Sequence, residues 1–262
     1  GKDLTLFKIC DNDQQIPVQA CRVNTLFTDR ETLMKENEHF QLGKLSRDGL
    51  IYDGEALAQT KEYNEGKITI QDEASQCVAF FLDPQPNEKV LDVCAAPGTK
   101  STHLAQLMHD QGEIIACDIH KHRVELIESS LKRLGIHCVQ PMVNDGTKSH
   151  EVFEHESFDR ILLDAPCSGY GVLKRKNDIK VHMQSSDMDE IIPLQQELLE
   201  SVSVLLKKGG RLVYSTCTLN KKENEKQIEN FLKKHDDFIC EKMRTIFPYE
   251  YDSDGFFMAR LI

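Results

Sequence analysis

A chain of 262 residues, 40% of them hydrophobic, is long enough to bury one full α/β core and a small appendage. Charged residues make up an ordinary 29%, and apolar runs recur along almost the whole length, which excludes an intrinsically disordered protein. A net charge of −11 argues against a nonspecific nucleic-acid coat, although an acidic total is compatible with a local basic groove. The apolar stretches, such as 202–206 and 161–163, are far too short to cross a bilayer, and no apolar segment behind basic residues opens the chain as a secretory signal. The first residue is Gly1 rather than methionine, which leaves room for a natural protein extending further upstream. Nine cysteines without a CxxC pair fit reduced, cytoplasmic thiols, with neither a disulfide framework nor a metal site expected.

Residues 1–66 read differently from the rest. A strand is predicted over 17–23, a short helix over 29–36 opened by Thr28 as N-cap, and a further strand over 50–52. Together these form a small α+β unit ahead of a larger domain over 67–262. From Gln71 onward strands and helices alternate. Strands are predicted over 89–93, 113–117, 137–143, 158–163 and 211–215, with helices over 72–82, 100–109, 121–134, 190–206 and 221–234. Asn220 with Glu223 reads as the capping box of the last helix, and Gly135 and Gly209-Gly210 read as helix stops. Residues 256–261 close the sheet as an antiparallel edge strand. The alternation implies a parallel sheet with helices on both faces, in which ligands bind at the carboxyl ends of the strands where strand order reverses.

Each predicted strand delivers polar or reactive groups to that rim. The first is followed by Cys94-Ala95-Ala96-Pro97-Gly98-Thr99-Lys100, the second by Asp118, and the third by Asn144-Asp145-Gly146. The fourth runs into Asp164-Ala165-Pro166-Cys167-Ser168-Gly169 and the fifth into Thr216-Cys217-Thr218. The small-residue loop lets backbone approach a ligand, and without a GxGxxG pattern it lacks the fittings for a pyrophosphate. Asp118, at the next strand end, is placed to accept from both ribose hydroxyls of an adenosine-containing cofactor. A carboxylate there beside a loop without phosphate fittings fits S-adenosylmethionine (SAM). Asp145 serves either an adenine amino group or its own turn, and Lys100 either the site or the surface.

Two cysteines on neighbouring strand ends suggest chemistry on carbon. Carbon 5 of cytosine is too weak a nucleophile to take a methyl group unaided. A thiolate adding to carbon 6 moves electron density to carbon 5, and loss of the carbon 5 proton and of the thiol then restores aromaticity. This needs a nucleophile with a lowered pKa and an acid near N3, a role suited to a protonated or hydrogen-bonded Asp164. Free cysteine is among the most buried residue types, so Cys10, Cys21, Cys77, Cys138 and Cys240 are read as core filler, with Cys94 and Cys117 packed against the cofactor site. Position alone does not choose between Cys167 and Cys217. Lys174, Arg175, Lys176 and Lys180 form the one basic cluster beside the suspected site.

The segments 91–100 and 164–169, the run Ser215-Thr216-Cys217-Thr218 with Glu223-Asn224, and the terminal 255–261 resemble the Sun family of RNA cytosine-5 methyltransferases. The likeness runs from about Ile68 to Ile262. Residues 118–123 and 131–135 are most similar to the members that act on bacterial 16S ribosomal RNA. The resemblance implies a Rossmann-like SAM-dependent methyltransferase sheet and a cytoplasmic, monomeric enzyme without metal or membrane contact, whose partner is ribosomal RNA. It implies that Cys94, Ala95, Ala96, Pro97, Gly98, Thr99, Lys100, Asp118, Asp145 and Asp164 bind SAM, that Cys217 forms the covalent bond and that Cys167 assists release. It places Arg22, with Val23 and Asn24, in a small RNA-binding subdomain, and Lys174, Arg175 and Lys176 at the RNA. Asn177 stands where relatives often have proline, and relatives of the 16S type carry a further helical N-terminal domain. The competing readings are a SAM enzyme acting on a protein or small-molecule nitrogen, which needs no thiol, and a noncatalytic RNA-binding assembly factor, which needs no SAM.

Overall fold

The computed structural model describes residues 18–168, 185–251 and 253–262, and for 185–188 the backbone alone. Two sheets are present. Strands β1 (Gln19–Val23), β2 (Phe40–Leu42), β3 (Gly49–Tyr52) and β4 (Ile68–Ile70) form an antiparallel sheet in the order β2-β3-β1-β4. A seven-stranded sheet is built from β5 (Lys89–Asp92), β6 (Glu113–Asp118), β7 (Val139–Val143), β8 (Phe158–Asp164), β9 (Leu206–Thr216), β10 (Cys240–Ile246) and β11 (Phe256–Leu261). Its order is β10-β11-β9-β8-β5-β6-β7, with the five strands from β9 to β7 parallel. The chain leaves β5 toward β6 and leaves β8 toward β9, so strand order reverses between β5 and β8.

Alternation along the strands explains why both faces are covered. Val90, Ile114, Leu162 and Val213 point into one apolar cluster, with the helices Glu73–Leu82, Thr99–Leu107 and Lys121–Leu134. Their neighbours Leu91, Ile161, Leu163 and Leu212 point into the opposite cluster, with Leu198, Val202 and Phe231 from the helices Ser185–Ser203 and Glu225–Lys234. The helix Lys121–Leu134 buries Val124, Ile127, Leu131 and Leu134 at helical spacing and ends on Gly135, whose φ of 66° is the left-handed conformation a C-terminal glycine supplies.

Several expectations are corrected. Residues 256–261 do form an antiparallel strand, but β11 lies between β9 and β10, and β10 is the edge. Gly209-Gly210 stops no helix. The preceding helix ends at Ser203, and the two glycines sit inside β9, where the register against β8 shifts and Gly209 takes φ +80°. Asp29, not Thr28, caps the first helix by accepting from Thr32 N–H. The helix expected over 221–234 begins at Glu225 rather than Lys221, and a short further helix, Pro248–Tyr251, follows it. The antiparallel sheet also extends past residue 66, since β4 belongs to it.

A buried polar seam joins the two sheets. Arg22, expected at the RNA, is 1% exposed. It donates to Gln106 Oε1 (3.1 Å), Gln71 Oε1 (2.5 Å), the Thr99 carbonyl (2.7 Å) and Thr102 Oγ1 (2.9 Å). These acceptors take four of the five N–H donors of the guanidinium, and its burial keeps it out of reach of a phosphate. Beside it, His103 Nε2 and Gln106 Nε2 lie 3.0 and 3.1 Å from Asp48 Oδ2. Burial holds the His103 pKa down to about 4, so a neutral imidazole donates to Asp48 at neutral pH. Replacing Arg22 with Ala strands these acceptors in a dry interface. The expected loss is about 3 kcal/mol or more of unfolding free energy, measured by urea denaturation followed by circular dichroism.

Candidate active site

The loop after β5 folds tightly onto the next strand. Ala95 N–H donates to the Cys117 carbonyl at 2.7 Å, and Gly98 N–H to the Ala95 carbonyl at 2.7 Å. Gly98 takes φ +103° as it enters the helix Thr99–Leu107, a conformation that a side chain at this position would strain. Ala95 and Gly98 are buried, Cys94, Ala96, Thr99 and Lys100 half-buried, and Pro97 exposed. At the end of β6, Asp118 is 5% exposed. Its Oδ1 accepts from His120 N–H at 3.0 Å, and Arg123 Nε stands 3.8 Å from Oδ2. Asp145 uses Oδ1 for its own turn, accepting from the Thr147 N–H (3.0 Å) and hydroxyl (2.7 Å).

Register brings β8 and β9 to the rim together, with Asp164 opposite Ser215. Asp164 Oδ1 accepts from the Ser215 hydroxyl at 2.9 Å, and Lys100 Nζ lies 2.8 Å from Oδ2. Lys100 is thus an ion-pair partner of Asp164 rather than a surface lysine. Burial works against its charge, but Asp164, Asp92 and Cys217 outweigh burial and raise its pKa. The proton of the pair therefore resides on Lys100. Asp164, expected to be protonated or hydrogen-bonded, is held from two sides, by the Ser215 hydroxyl and the Lys100 ammonium.

Three residues past Asp164 and two past Ser215, the chain delivers its thiols side by side, with Cys167 Sγ 2.8 Å from Cys217 Sγ. The Cys167 contact lowers the Cys217 pKa most, and the Lys100 charge adds to it, against burial and the Asp164 charge. Structural cysteines shift the other way. Burial pushes Cys21, Cys117 and Cys138 up to about 12, Cys77 to about 11, and Cys94 well above its ordinary value. Cys240 is only half-buried, against one apolar cluster. Lys174, Arg175, Lys176, Asn177 and Lys180, like Cys10, lie outside the described residues.

Two groups have partners that the reading of the sequence did not find. Glu223 is fully buried and bonded to the loop that carries Cys167. Asp92, at the end of β5, is also fully buried and accepts from the Ser101 hydroxyl at 2.6 Å. A lone Asp inside an apolar strand is the signal that could have found it. Burial is the main cause that pushes its pKa up to about 7, from an ordinary 3.8. Between those values the folded chain holds a proton that the unfolded chain releases, so this group makes stability fall as pH rises from about 4 to about 7. Asp92→Asn removes the titration. Denaturation at a series of pH values should show the variant gaining on the native protein through that window and holding the gain above it.

The chain is similar to known proteins in sequence and in fold. The model of the 16S rRNA methyltransferase RsmB/F family matches residues 79–262. The probable ribosomal RNA small subunit methyltransferase B of Bacillus subtilis is 39% identical over 97% of this chain, which spans 62% of that protein's length. A methyltransferase homolog protein from Pyrococcus horikoshii superposes with a TM-score of 0.82 at 32% identity, covering 94% of this chain and 87% of that one. NSun6 from the same organism, solved with SFG, has the same fold, with a TM-score of 0.86 at 23% identity over 94% of this chain and 91% of that one. The chain belongs to the RsmB/F family of 16S rRNA methyltransferases.

Proposed function

We propose that the protein transfers a methyl group from SAM to carbon 5 of a cytosine in RNA, 16S ribosomal RNA being the substrate, through a covalent bond between Cys217 and the base. The observation that carries this reading is the Cys167–Cys217 contact of 2.8 Å beside the Lys100–Asp164 pair. Methylation of a nitrogen would use neither thiol.

The rim residues suit the cofactor. Carboxylates at the ends of adjacent strands, Asp118 on β6 and Asp145 after β7, complement the hydroxyl and amino donors of adenosine. The loop from Cys94 to Lys100 brings backbone close without fittings for a phosphate. When bound, SAM supplies a methyl group activated by a sulfonium.

The chain's own groups do the rest. Cys217, held toward its thiolate by Cys167 and Lys100, adds to carbon 6 of the base and forms an S–C6 bond. The displaced electron density is stabilised at N3 by a donor, and Lys100 carries the available proton, oriented by Asp164 and through it by Ser215. After methylation water takes the carbon 5 proton, the electron pair of the C5–H bond restores the C5=C6 double bond, the S–C6 bond breaks with its pair on the Cys217 sulfur, and N3 returns its proton to Lys100. Cys167, in contact with the leaving sulfur, assists that release by donating a hydrogen bond to the departing thiolate. The basic run Lys174, Arg175 and Lys176 follows Cys167 closely in sequence and supplies phosphate contacts.

The test is methyl transfer from labelled SAM to ribosomal RNA. Cys217→Ala should lose at least about a thousandfold in rate, and Cys167→Ala should accumulate a covalent protein–RNA adduct on a denaturing gel. RNA carrying 5-fluorocytosine should trap native protein in the same adduct, since fluorine cannot depart as a cation. Normal turnover by Cys217→Ala sinks the assignment. Separately, Asp118→Ala should weaken SAM binding by about ten- to a hundredfold in calorimetry, as expected for loss of charged hydrogen bonds to ribose.

A further inference from the structure

Every residue flanking the two thiols is tied to one buried set of side chains. Ahead of Cys167, the Pro166 carbonyl accepts from Gln195 Nε2 at 2.9 Å. Behind it, Ser168 donates its N–H to Glu223 Oε1 at 2.9 Å and its hydroxyl to Glu223 Oε2 at 2.7 Å. Ahead of Cys217, the Thr216 hydroxyl donates to Asn224 Oδ1 at 2.5 Å. Behind it, the Thr218 carbonyl accepts from Asn224 Nδ2 at 2.9 Å, while Thr218 Oγ1 lies 3.0 Å from Ser168 Oγ. Gln195 and Asn220 complete the set, donating to Glu223 Oε1 (3.1 Å) and Oε2 (3.0 Å).

Glu223 therefore receives four donors on two oxygens, and it is fully buried. Only an acceptor-only group can satisfy that ring, which is what a carboxylate is and an amide is not. Two of the donors come from the Cys167 loop. The Glu223 backbone, meanwhile, lies next to Asn224, which holds the Cys217 loop, and its carbonyl accepts from the Tyr214 hydroxyl on β9 at 2.6 Å. The charge thus draws together two loops whose thiols have no covalent reason to touch.

We propose that Glu223 is a positioning residue that fixes the contact between Cys167 and Cys217, on which addition to the base and its release both depend. The proposal rests on the cytosine-5 reading for its catalytic consequence, but the contact can be measured without it. Glu223→Gln places an amino group against two donors and should loosen the Cys167 loop while retaining the fold.

The experiment follows alkylation of Cys217 by iodoacetamide against pH, with neither RNA nor SAM present, mapped by mass spectrometry. In Glu223→Gln the alkylation profile should move to higher pH, in the direction taken by Cys167→Ala. In the Cys167→Ala background the same substitution should add no further shift, because its effect passes through Cys167. In the methyl-transfer assay, kcat should fall by about ten- to a hundredfold with the KM for RNA unchanged, the scale expected for misplacing a reacting group. Ser168→Ala, a milder removal of one donor, should shift the profile in the same direction and serves if Glu223→Gln does not fold. A variant that melts earlier yet keeps the native alkylation profile has lost only stability, and that result overturns the proposal. Failure of native protein to form an adduct with 5-fluorocytosine RNA would instead refute the cytosine-5 reading, leaving the alkylation shift to be judged by itself.

Discussion

The pairing of β8 with β9 governs where reactive groups can stand at this rim. Setting Asp164 opposite Ser215 brings the two strands to their carboxyl ends in step, so the loops that leave them start side by side. A parallel pair places its exits on one edge, and a slip of β9 by one residue would turn Ser215 away from Asp164. From that register follow the Ser215–Asp164 bond, the reach of Lys100 from the neighbouring β5 loop, and the meeting of two sulfurs. The strand-order reversal between β5 and β8 opens the crevice above them.

Electrostatics at the site follows from which charges are buried with partners. Lys100 keeps its charge because Asp164 and Asp92 lie near, and that charge in turn favours a thiolate at Cys217. Cysteines packed away from any cation are driven toward the neutral thiol. Among the eight cysteines of the described residues, the one at the end of β9 is thus set apart by its surroundings and not by its type.

How much of this was legible in the sequence depends on the range of the interaction involved. Strand ends could be located from apolar periodicity, and with them Asp118, Asp164 and Cys217, because a sheet converts periodicity into position. β10 escaped because an edge strand with only one fully buried side chain, Cys240–Ile246, shows no apolar alternation. Gly209-Gly210 misled because glycine serves a bulge as readily as a helix end. Arg22 misled for a different reason. A cation in a sequence does not reveal whether its partners are phosphates or carbonyls, and those of Arg22 lie 49 to 84 residues away. Glu223 likewise looked like half of a local capping box, while its main partner Ser168 is 55 residues distant.

The seam around Arg22 has an implication for dissecting this protein. One of its four acceptors is the carbonyl of Thr99, the residue that leads from the cofactor loop into its helix. On the opposite side, Glu73 accepts the N–H groups of Lys44, Leu45 and Ser46, so the larger unit grips the smaller in return. Trimming away the antiparallel sheet would therefore bare a polar helix face built to be dry and would slacken the anchor of the loop itself. The appendage and the loop are best regarded as a single mechanical part.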